Sequence, residues 1–206
     1  MIYVIITSSI NNKSGNKDAE GRQKRYIDCI TSVLKMLDND SSFKPIIVEN
    51  NGIRGTFLDG LNCDIMYTSN NLLNLQHKGV NELMDIKEVM QRYNIQDEDI
   101  IVKLTGRYKL KDMYFLNEVK NKSNEYDAFV KFFNVCTLEY MELDCVLGLV
   151  AVKSKYLRTF NYDCNKSPEC EFAEHVRNNI NKERIMEMKH LNLECCFADD
   201  LRILNV

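Results

Sequence analysis

The sequence predicts an α/β fold, in which helices flank a mixed, mostly parallel sheet within a single domain. Short apolar runs rich in β-branched residues alternate along the chain with segments whose apolar residues recur every three or four positions, and this alternation is typical of a layered α/β sheet. A chain of 206 residues is long enough to bury one sizeable core, and no repeat, low-complexity tract or linker divides it. We therefore expect one domain over residues 1–206.

Four strands and two helices are predicted in the first half of the chain. Apolar, β-branched runs predict the strands, and apolar spacings of three and four predict the helices. The predicted strands cover 3–7, 45–48, 63–67 and the apolar part of 97–108, which has the sequence DEDIIVKLTGRY, and the predicted helices cover 26–37 and 78–93. Turn-forming residues end these elements, and we expect a loop through Lys17 after the first strand.

The second half of the chain predicts two further strands, at 126–132 and 145–152, and a helix. The run at 145–152 is nearly continuous in apolar residues, as expected where both faces of a sheet are covered. The segment SPECEFAEHV has the pattern of a helix start, because Ser167 can cap the helix and Pro168 suits its first position. The apolar face of this helix would consist of Phe172, Ala173, Val176 and Ile180.

Composition and charge narrow the classes of function. The net charge of −3 gives no long-range attraction toward nucleic acid or an anionic membrane. No stretch approaches the ~20 consecutive apolar residues of a membrane span, and we expect residues 1–6 to form a strand and not a signal peptide. The eight cysteines include no Cys-x-x-Cys pair, which favours reduced thiols in a cytoplasmic protein over a zinc ribbon or a disulfide scaffold. The abundance of Asn, Ile, Lys and Tyr is typical of an AT-rich genome, viral or bacterial.

Polar residues follow each of the four predicted strands of the first half. In open α/β sheets ligands bind outside the carboxyl ends of the strands, so these tails are candidates for a binding site. The alternative is that Asn, Ser and Gly only form turns, although four such tails together favour binding. The tails consist of Thr7, Ser8 and Ser9, then Glu49, Asn50 and Asn51, then Asn70 and Asn71, and finally Thr105, Gly106 and Arg107.

Lys103 is an unusual residue for the middle of a buried strand. In an extended strand it shares a face with Ile101 and Thr105, so that this face becomes polar toward the end of the strand. We expect the face to look toward the binding site. Alternatively, Lys103 pairs with a neighbouring acid while its stem packs in the core.

This order of elements resembles the nucleotide-binding half of GT-A fold glycosyltransferases over roughly residues 1–180. In that family a first strand like YVIITSS leads to a helix, and a second strand, here KPIIVENNG, ends in an acid that holds the nucleoside. The resemblance implies a GT-A-like fold with a nucleotide-binding half at about 1–110 and an acceptor-side half at about 111–206. It also implies a nucleotide-sugar donor and a glycan or glycolipid acceptor; the net charge and the lack of a long apolar stretch predict neither a nucleic-acid partner nor a membrane span. The implied nucleotide-binding residues are Thr7, Ser8, Glu49, Asn50, Asn51 and Asn71.

The chain departs from the family at the end of its fourth strand. The family has a metal-binding Asp-x-Asp motif there, whereas this chain has Thr105, Gly106 and Arg107. A fixed cation can neutralise a departing diphosphate as a metal does, so we expect Arg107 to act in catalysis without a metal bound by the protein. The disfavoured alternative is a divalent cation, Mn or Mg, held by an acid elsewhere; the candidates are Asp97, Asp99 and Asp144.

Several basic residues are candidates for binding the diphosphate. Lys78 and Gly79 open a predicted helix, and a helix N-terminus attracts anions, although Glu82 on its first turn could simply complement the helix dipole. Arg22 and Arg25 precede the predicted first helix and could reach the same phosphates, or could form a solvated basic face. The predicted diphosphate-binding residues are Arg25, Lys78, Lys103, Thr105, Gly106 and Arg107.

Inverting glycosyl transfer needs a carboxylate that deprotonates the acceptor hydroxyl. Glu169 and Glu171 fall in the first turn of the helix at 168, where such a base commonly lies in the family. Acids are also favoured there by the helix dipole whatever the protein does. We therefore expect one of these two residues to be the catalytic base.

Other classes of function receive less support. The three histidines, His77, His175 and His190, lack the spacing of a metal site, and no Gly-x-Gly-x-x-Gly, Walker loop or nucleophile elbow is present. A sugar-phosphate nucleotidyltransferase is the enzymatic alternative, but residues 7–17 contain a single glycine where such enzymes usually have a Gly-rich loop. The other alternative is a non-catalytic binding or assembly subunit on a degenerate transferase fold.

Overall fold

The computed structural model describes residues 1–11, 18–52, 54–73, 75, 77–198 and 200–206. Most of the loop predicted after the first strand lies outside the described residues. The strands are β1 (Ile2–Ser8), β2 (Phe43–Glu49), β3 (Asp64–Tyr67), β4 (Ile100–Thr105), β5 (Lys109–Leu110), β6 (Ala128–Val130), β7 (Leu149–Lys153), β8 (Ile185–Glu187), β9 (Leu193–Cys196) and β10 (Ile203–Asn205). The α-helices are α1 (Ala19–Leu37), α2 (Lys78–Arg92), α3 (Tyr114–Lys122), α4 (Ser154–Thr159) and α5 (Pro168–Asn179).

The predicted fold class is confirmed. Seven strands form one sheet in the order β3-β2-β1-β4-β7-β6-β8, and neighbouring strands are parallel except where β7 pairs antiparallel with β4 and with β6. Because β1 to β4 are parallel, their polar tails meet at one edge of the sheet. This edge is where the sequence predicts a binding site.

The sheet is covered on both faces. Alternate residues of β4 divide between the two faces, with Val102 and Leu104 in the cluster that contains α1 and Ile101 in the cluster that contains α2 and α5. The predicted alternation along β4 is therefore confirmed, and Lys103 lies on the face covered by α2. None of the described helices is long and apolar enough to cross a membrane.

Three predicted boundaries differ from the structure. Helix α1 begins at Ala19, capped by Asp18, whose side chain accepts a hydrogen bond from the Gly21 amide, so Arg22 and Arg25 lie inside the helix and not ahead of it. The predicted strand at 145–152 begins only at Leu149: Cys145 forms an isolated bridge with Phe132, and the Leu149 amide then donates to the Val146 carbonyl in a turn. The predicted strand at 126–132 shortens to Ala128–Val130. A continuous apolar run indicates burial, and burial does not require a strand.

A second, small sheet was not predicted. Strands β10, β9 and β5 pair antiparallel in that order, and β5 packs beside α1. Each of these strands has only two to four residues, too few for an alternating pattern to stand out. This sheet matters to the site because it braces Arg107, as described below.

Candidate functional site

A cleft of about 250 Å³ opens at the carboxyl ends of β1 and β4, between the N-termini of α2 and α5. Nine of the predicted site residues line it: Thr7, Ser8, Asn50, Asn71, Lys78, Lys103, Thr105, Arg107 and Glu169. The other five predicted residues lie outside its lining: Arg25, Glu49, Asn51, Gly106 and Glu171. The structure thus brings together most of the residues predicted from four separate strand tails and two helix starts.

Glu49 lies outside the cleft lining and connects the tails of β1 and β2 through hydrogen bonds. Its carboxylate is 1% exposed and accepts hydrogen bonds from Ser8 Oγ (2.6 Å), from the Ile10 amide and from Asn51 Nδ2 (2.6 Å). Asn51 in turn accepts from Asn71 Nδ2 (2.8 Å). Hydrogen bonds from the protein therefore occupy the Glu49 carboxylate, which was expected to hold a nucleoside. Through these bonds Glu49 holds Ser8 and Ile10 in place at the end of β1.

Lys103 forms an ion pair in the cleft. Its Nζ lies 2.9 Å from Glu82 Oε2 and donates to Thr105 Oγ1 (2.9 Å) and to the Leu147 carbonyl (3.0 Å). Burial opposes ionisation of Glu82, but Lys103 and then Arg107 lower the pKa of its carboxyl below the ordinary value. Lys103 thus pairs with an acid, as one interpretation of the sequence predicted, and also lines the cleft, as the other predicted.

Arg107 is held in place by the small sheet. Its Nε donates to the Cys196 carbonyl of β9 (2.7 Å), and Arg25 Nε donates to the Arg107 carbonyl (2.8 Å) while Arg25 Nη1 pairs with Glu194 (2.7 Å). Burial disfavours the charge of Arg107, but the neighbouring Tyr26 and other groups raise its pKa above the ordinary value, so the guanidinium stays charged. Arg25 therefore supports Arg107 from behind and does not reach the cleft.

Gly106 allows β4 to end close to β1. A Cβ at this position would lie 2.9 Å from the Thr7 carbonyl oxygen and 3.1 Å from the Tyr26 ring, and the Gly106 amide donates to that same Thr7 carbonyl (2.8 Å). The close approach that requires glycine here is between two strand tails. It sets Arg107 beside Thr7 at the cleft.

Two helix N-termini meet at the cleft. A Cβ on Gly79 of α2 would lie 2.6 Å from Pro168 Cβ of α5, so the two helices touch at their first turns. His77 precedes α2 without making a side-chain cap, whereas the Ser167 hydroxyl accepts from the Cys170 amide (3.3 Å) at α5, as its sequence predicts. The amides of both first turns give this wall of the cleft a partial positive charge.

The two candidate bases on α5 occupy different places. Glu169 lines the cleft half-buried, and its carboxylate accepts no hydrogen bond from the residues that the structure describes. Glu171 points instead into the loop before α5 and accepts from the amides of Asp163 (2.8 Å), Asn165 (2.8 Å) and Lys166 (3.0 Å). Burial opposes ionisation of Glu171, but these donors lower the pKa of its carboxyl. Of the two residues, only Glu169 lines the cleft.

Asp85, which is fully buried on α2, was not among the predicted site residues. Its carboxylate accepts from Thr68 Oγ1 (2.6 Å), Asn70 Nδ2 (2.8 Å) and Asn50 Nδ2 (2.8 Å), so it joins the tails of β2 and β3 to α2. Burial raises the pKa of Asp85 to about 6 against the effect of these three hydrogen bonds. The sequence feature that could have identified Asp85 is the presence of an acid on the apolar face of the predicted helix, four residues before Val89.

At the cleft, three buried polar side chains each have one atom without a hydrogen-bond partner among the residues that the structure describes. The unpartnered atoms are Arg22 Nη1, Asn50 Oδ1 and Asn81 Oδ1, on residues that are 3%, 4% and 5% exposed. All three residues line the cleft. Because a buried polar atom without a partner costs about 1–3 kcal/mol, this clustering indicates that a polar ligand completes the site.

The alternative metal ligands do not lie at the cleft. Asp97 pairs with Arg158 and Asp99 with the N-terminal amine, both at the start of β4, whereas the cleft lies at its end. Asp144 accepts from Asn134 Nδ2 (2.6 Å) and from the Cys145 amide (2.7 Å), away from the cleft lining. Within the described part of the chain, no group of three His, Cys, Asp or Glu side chains has the arrangement of a metal site.

Comparison with known proteins finds similarity in structure alone. No protein-family model and no curated protein sequence matches the chain. A mannosyltransferase from Pyrobaculum calidifontis, PcManGT, solved in complex with GDP-Man and Mn²⁺, superposes with a TM-score of 0.57 at 10% identity, over 98% of this chain and 55% of that one. The chain thus spans about half the length of this mannosyltransferase.

Two further structures share the fold. The CMP:2-keto-3-deoxy-manno-octonic acid synthetase complexed with CTP gives a TM-score of 0.55 at 11% identity, over 91% of this chain and 88% of that one. The bifunctional IspDF from Campylobacter jejuni gives 0.54 at 10% identity, over 99% and 52%. At such identities the comparisons show the fold alone, which this chain shares with the mannosyltransferase, the synthetase and IspDF.

Proposed function

We propose that this protein is a glycosyltransferase that moves a sugar from a nucleotide-sugar donor to a glycan or glycolipid acceptor, with cationic side chains in place of a metal held by the protein. The chemistry of the cleft lining carries the proposal. The lining combines the cations Lys78, Lys103 and Arg107 with the neutral polar groups of Ser8, Ser9, Asn50 and Asn71. A nucleotide likewise combines a charged diphosphate with a neutral nucleoside.

The cations of the cleft lining suit a diphosphate that becomes more negative as the sugar leaves. Among the described lining residues, the cations Arg22, Lys78, Lys103 and Arg107 outnumber the carboxylates of Glu82 and Glu169. Arg107 is held by the Cys196 carbonyl before any ligand binds, so little reorganisation is needed when charge develops. The N-terminus of α2 adds backbone amides to the same wall. These features support charge stabilisation by the protein itself.

Glu169 is the base in this proposal. It lies on the first turn of α5 and lines the same cleft as the cations. A carboxylate without a protein donor is free to accept the proton of an acceptor hydroxyl in an inverting transfer. The similarity to a mannosyltransferase solved with GDP-Man agrees with this class of reaction.

A sugar-phosphate nucleotidyltransferase is the second candidate, and the similarity to a synthetase solved with CTP supports it. In that reaction a nucleoside triphosphate reacts with a sugar or sugar phosphate and releases pyrophosphate. The sequence disfavours it, because residues 7–17 contain a single glycine after β1. A non-catalytic binding subunit would bind the nucleotide sugar without turnover.

One pair of assays separates these functions. The first measures the melting temperature with nucleoside diphosphates, nucleoside triphosphates and nucleotide sugars, where a ligand at 100 times its Kd stabilises by about 2.7 kcal/mol. The second measures the product that is released, which is a nucleoside diphosphate for the glycosyltransferase and pyrophosphate for the nucleotidyltransferase. Stabilisation without either product would identify a binding subunit, and no stabilisation by any nucleotide at millimolar concentration would contradict the proposal.

A further inference from the structure

We propose that Asp85 selects the base of the bound nucleotide by fixing which atom of the Asn50 amide is left for the ligand. Asp85 acts through Asn50 and is a positioning residue. The selected bases are those with a ring N–H that donates a hydrogen bond, namely uracil through N3–H and guanine through N1–H. This inference rests on the proposed binding of a nucleotide in the cleft.

The first step is the orientation of the Asn50 amide. An ionised carboxylate only accepts hydrogen bonds, so the Asn50 atom that contacts Asp85 Oδ2 at 2.8 Å must be the donor Nδ2. The other amide atom, Oδ1, is buried and has no partner among the described residues. Asn50 Oδ1 is therefore a buried acceptor without a donor among the described residues.

Second, Asn50 has little freedom to move its Oδ1 atom toward another donor. Its amide N–H donates to the Ser8 carbonyl (3.2 Å), and its own carbonyl accepts from the Asn71 amide (3.0 Å). Asp85 is itself fixed by two donors on its other oxygen, Thr68 and Asn70. Because Asn50 lines the cleft beside Ser8 and Asn71, we assign the missing donor to the part of the ligand that binds there.

The third step compares the bases that could supply this donor. Uracil and guanine have an N–H in the ring, whereas cytosine and adenine have an acceptor nitrogen at the same place. An acceptor nitrogen opposite Asn50 Oδ1 would leave two buried acceptors facing each other. The amide thus favours UDP over CDP and GDP over ADP.

The variant Asp85→Asn reverses the amide without changing its shape. The new side chain keeps its oxygen toward Thr68 and Asn70, which are donors, and so turns its Nδ2 toward Asn50. Asn50 must then present Oδ1 to that group and Nδ2 to the ligand. We expect the wild type to bind UDP more tightly than CDP, or GDP more tightly than ADP, by about tenfold, and the variant to lose or reverse this preference.

The experiment measures Kd for these four diphosphates by calorimetry, with wild type and three variants at one pH near 8. Thr68→Val is the matched control, because it removes a donor to Asp85 but leaves the orientation of Asn50 unchanged, and we expect it to keep the wild-type preference. Asn50→Leu removes the amide, and its preference within each pair should fall to less than about twofold. This variant tests the inference even if Asp85→Asn does not fold.

The possible outcomes are distinct. A preference that reverses or disappears in Asp85→Asn and Asn50→Leu but persists in Thr68→Val supports the inference. A wild-type preference that persists in Asn50→Leu overturns it while leaving nucleotide binding intact. A wild type that binds all four diphosphates equally also overturns it, and a wild type that binds none contradicts the proposed function itself.

Discussion

At the scale of single residues, Asp85 is a buried carboxylate with three neutral donors and no cation bonded to it among the described residues. Its pKa, raised to about 6 by burial, lies above the value of an unfolded chain. The folded protein therefore binds a proton at Asp85 more tightly than the unfolded protein does. The contribution of the protonated group to stability is complete below about pH 4 and is lost as the pH rises through about 6.

We predict that Asp85→Asn removes this dependence on pH. The free energy of unfolding of the variant, relative to wild type, should increase between pH 4 and pH 8 by up to roughly 3 kcal/mol, since one pKa unit corresponds to about 1.4 kcal/mol. The free Oδ1 of Asn50 can accept from the new amide once the Asn50 side chain turns over. Urea denaturation of both proteins at the two pH values measures the change, and a difference that is constant with pH would contradict the shifted pKa.

Glu169 and Glu171 have the same residue type and neighbouring positions but different surroundings, which gives a second prediction. Glu169→Gln should lower turnover by about 10²-fold or more while donor affinity is kept, because a base is lost and the shape is not. Glu171→Gln should keep turnover but lower stability, since an NH₂ group would face backbone amides of the loop at 163–166. The measurements are initial rates, donor Kd and urea midpoints. Equal rates for Glu169→Gln and wild type would place the base elsewhere.

At the scale of residues, the sequence predicted the side chains whose position follows from the alternation along a strand. Alternation along β4 places Lys103 and Thr105 on the side of the cleft, and the structure agrees. The partners of Arg25 and Glu171 could not be predicted, because Glu194 and the loop at 163–166 come close only through tertiary packing. A basic or acidic residue near a helix start has the same local pattern whether it binds a ligand or the protein.

At the scale of elements, the contact between α2 and α5 forms part of the cleft lining. Glycine at position 79 lets the first turns touch, because any Cβ there would overlap the Pro168 ring. The small sheet has a similar role on the opposite wall, where the Cys196 carbonyl of β9 holds Arg107. Long periodic segments such as α2 were predictable, whereas this contact and the short strands of the small sheet depend on distant residues and were not.

We predict that Gly79→Ala separates the two helix starts. The added methyl would lie 2.6 Å from Pro168 Cβ, and a proline ring has little freedom to move away, so we expect a loss of about 1–3 kcal/mol in unfolding free energy together with weaker nucleotide binding. Gly60→Ala is the matched control, because a Cβ there meets no atom within 4 Å. Urea denaturation and nucleoside diphosphate titration test both variants. If the two variants behave alike, the contact does not shape the cleft.

At the scale of the whole molecule, four parallel strands bring residues that are far apart in sequence to one edge. The general rule for open α/β sheets was enough to predict this edge from the sequence, although no motif marked it. The overall net charge is −3, yet the described lining of the cleft has more cations than carboxylates. Any attraction for a diphosphate is therefore local, and it includes the charge of Arg107 at the end of β4.

The last prediction concerns this charge. If Arg107 stabilises the departing diphosphate, activity should survive EDTA, and Arg107→Ala should lower turnover by about 10²–10³-fold, as does the loss of one transition-state donor. Arg107→Lys should restore only part of the rate, because a point charge does not reproduce the paired donors of a guanidinium. Arg158→Ala is the control, since Arg158 pairs with Asp97 at the far end of β4. Complete loss of activity in EDTA with rescue by manganese would establish a metal-dependent reaction, and full activity of Arg107→Ala would remove this residue from catalysis.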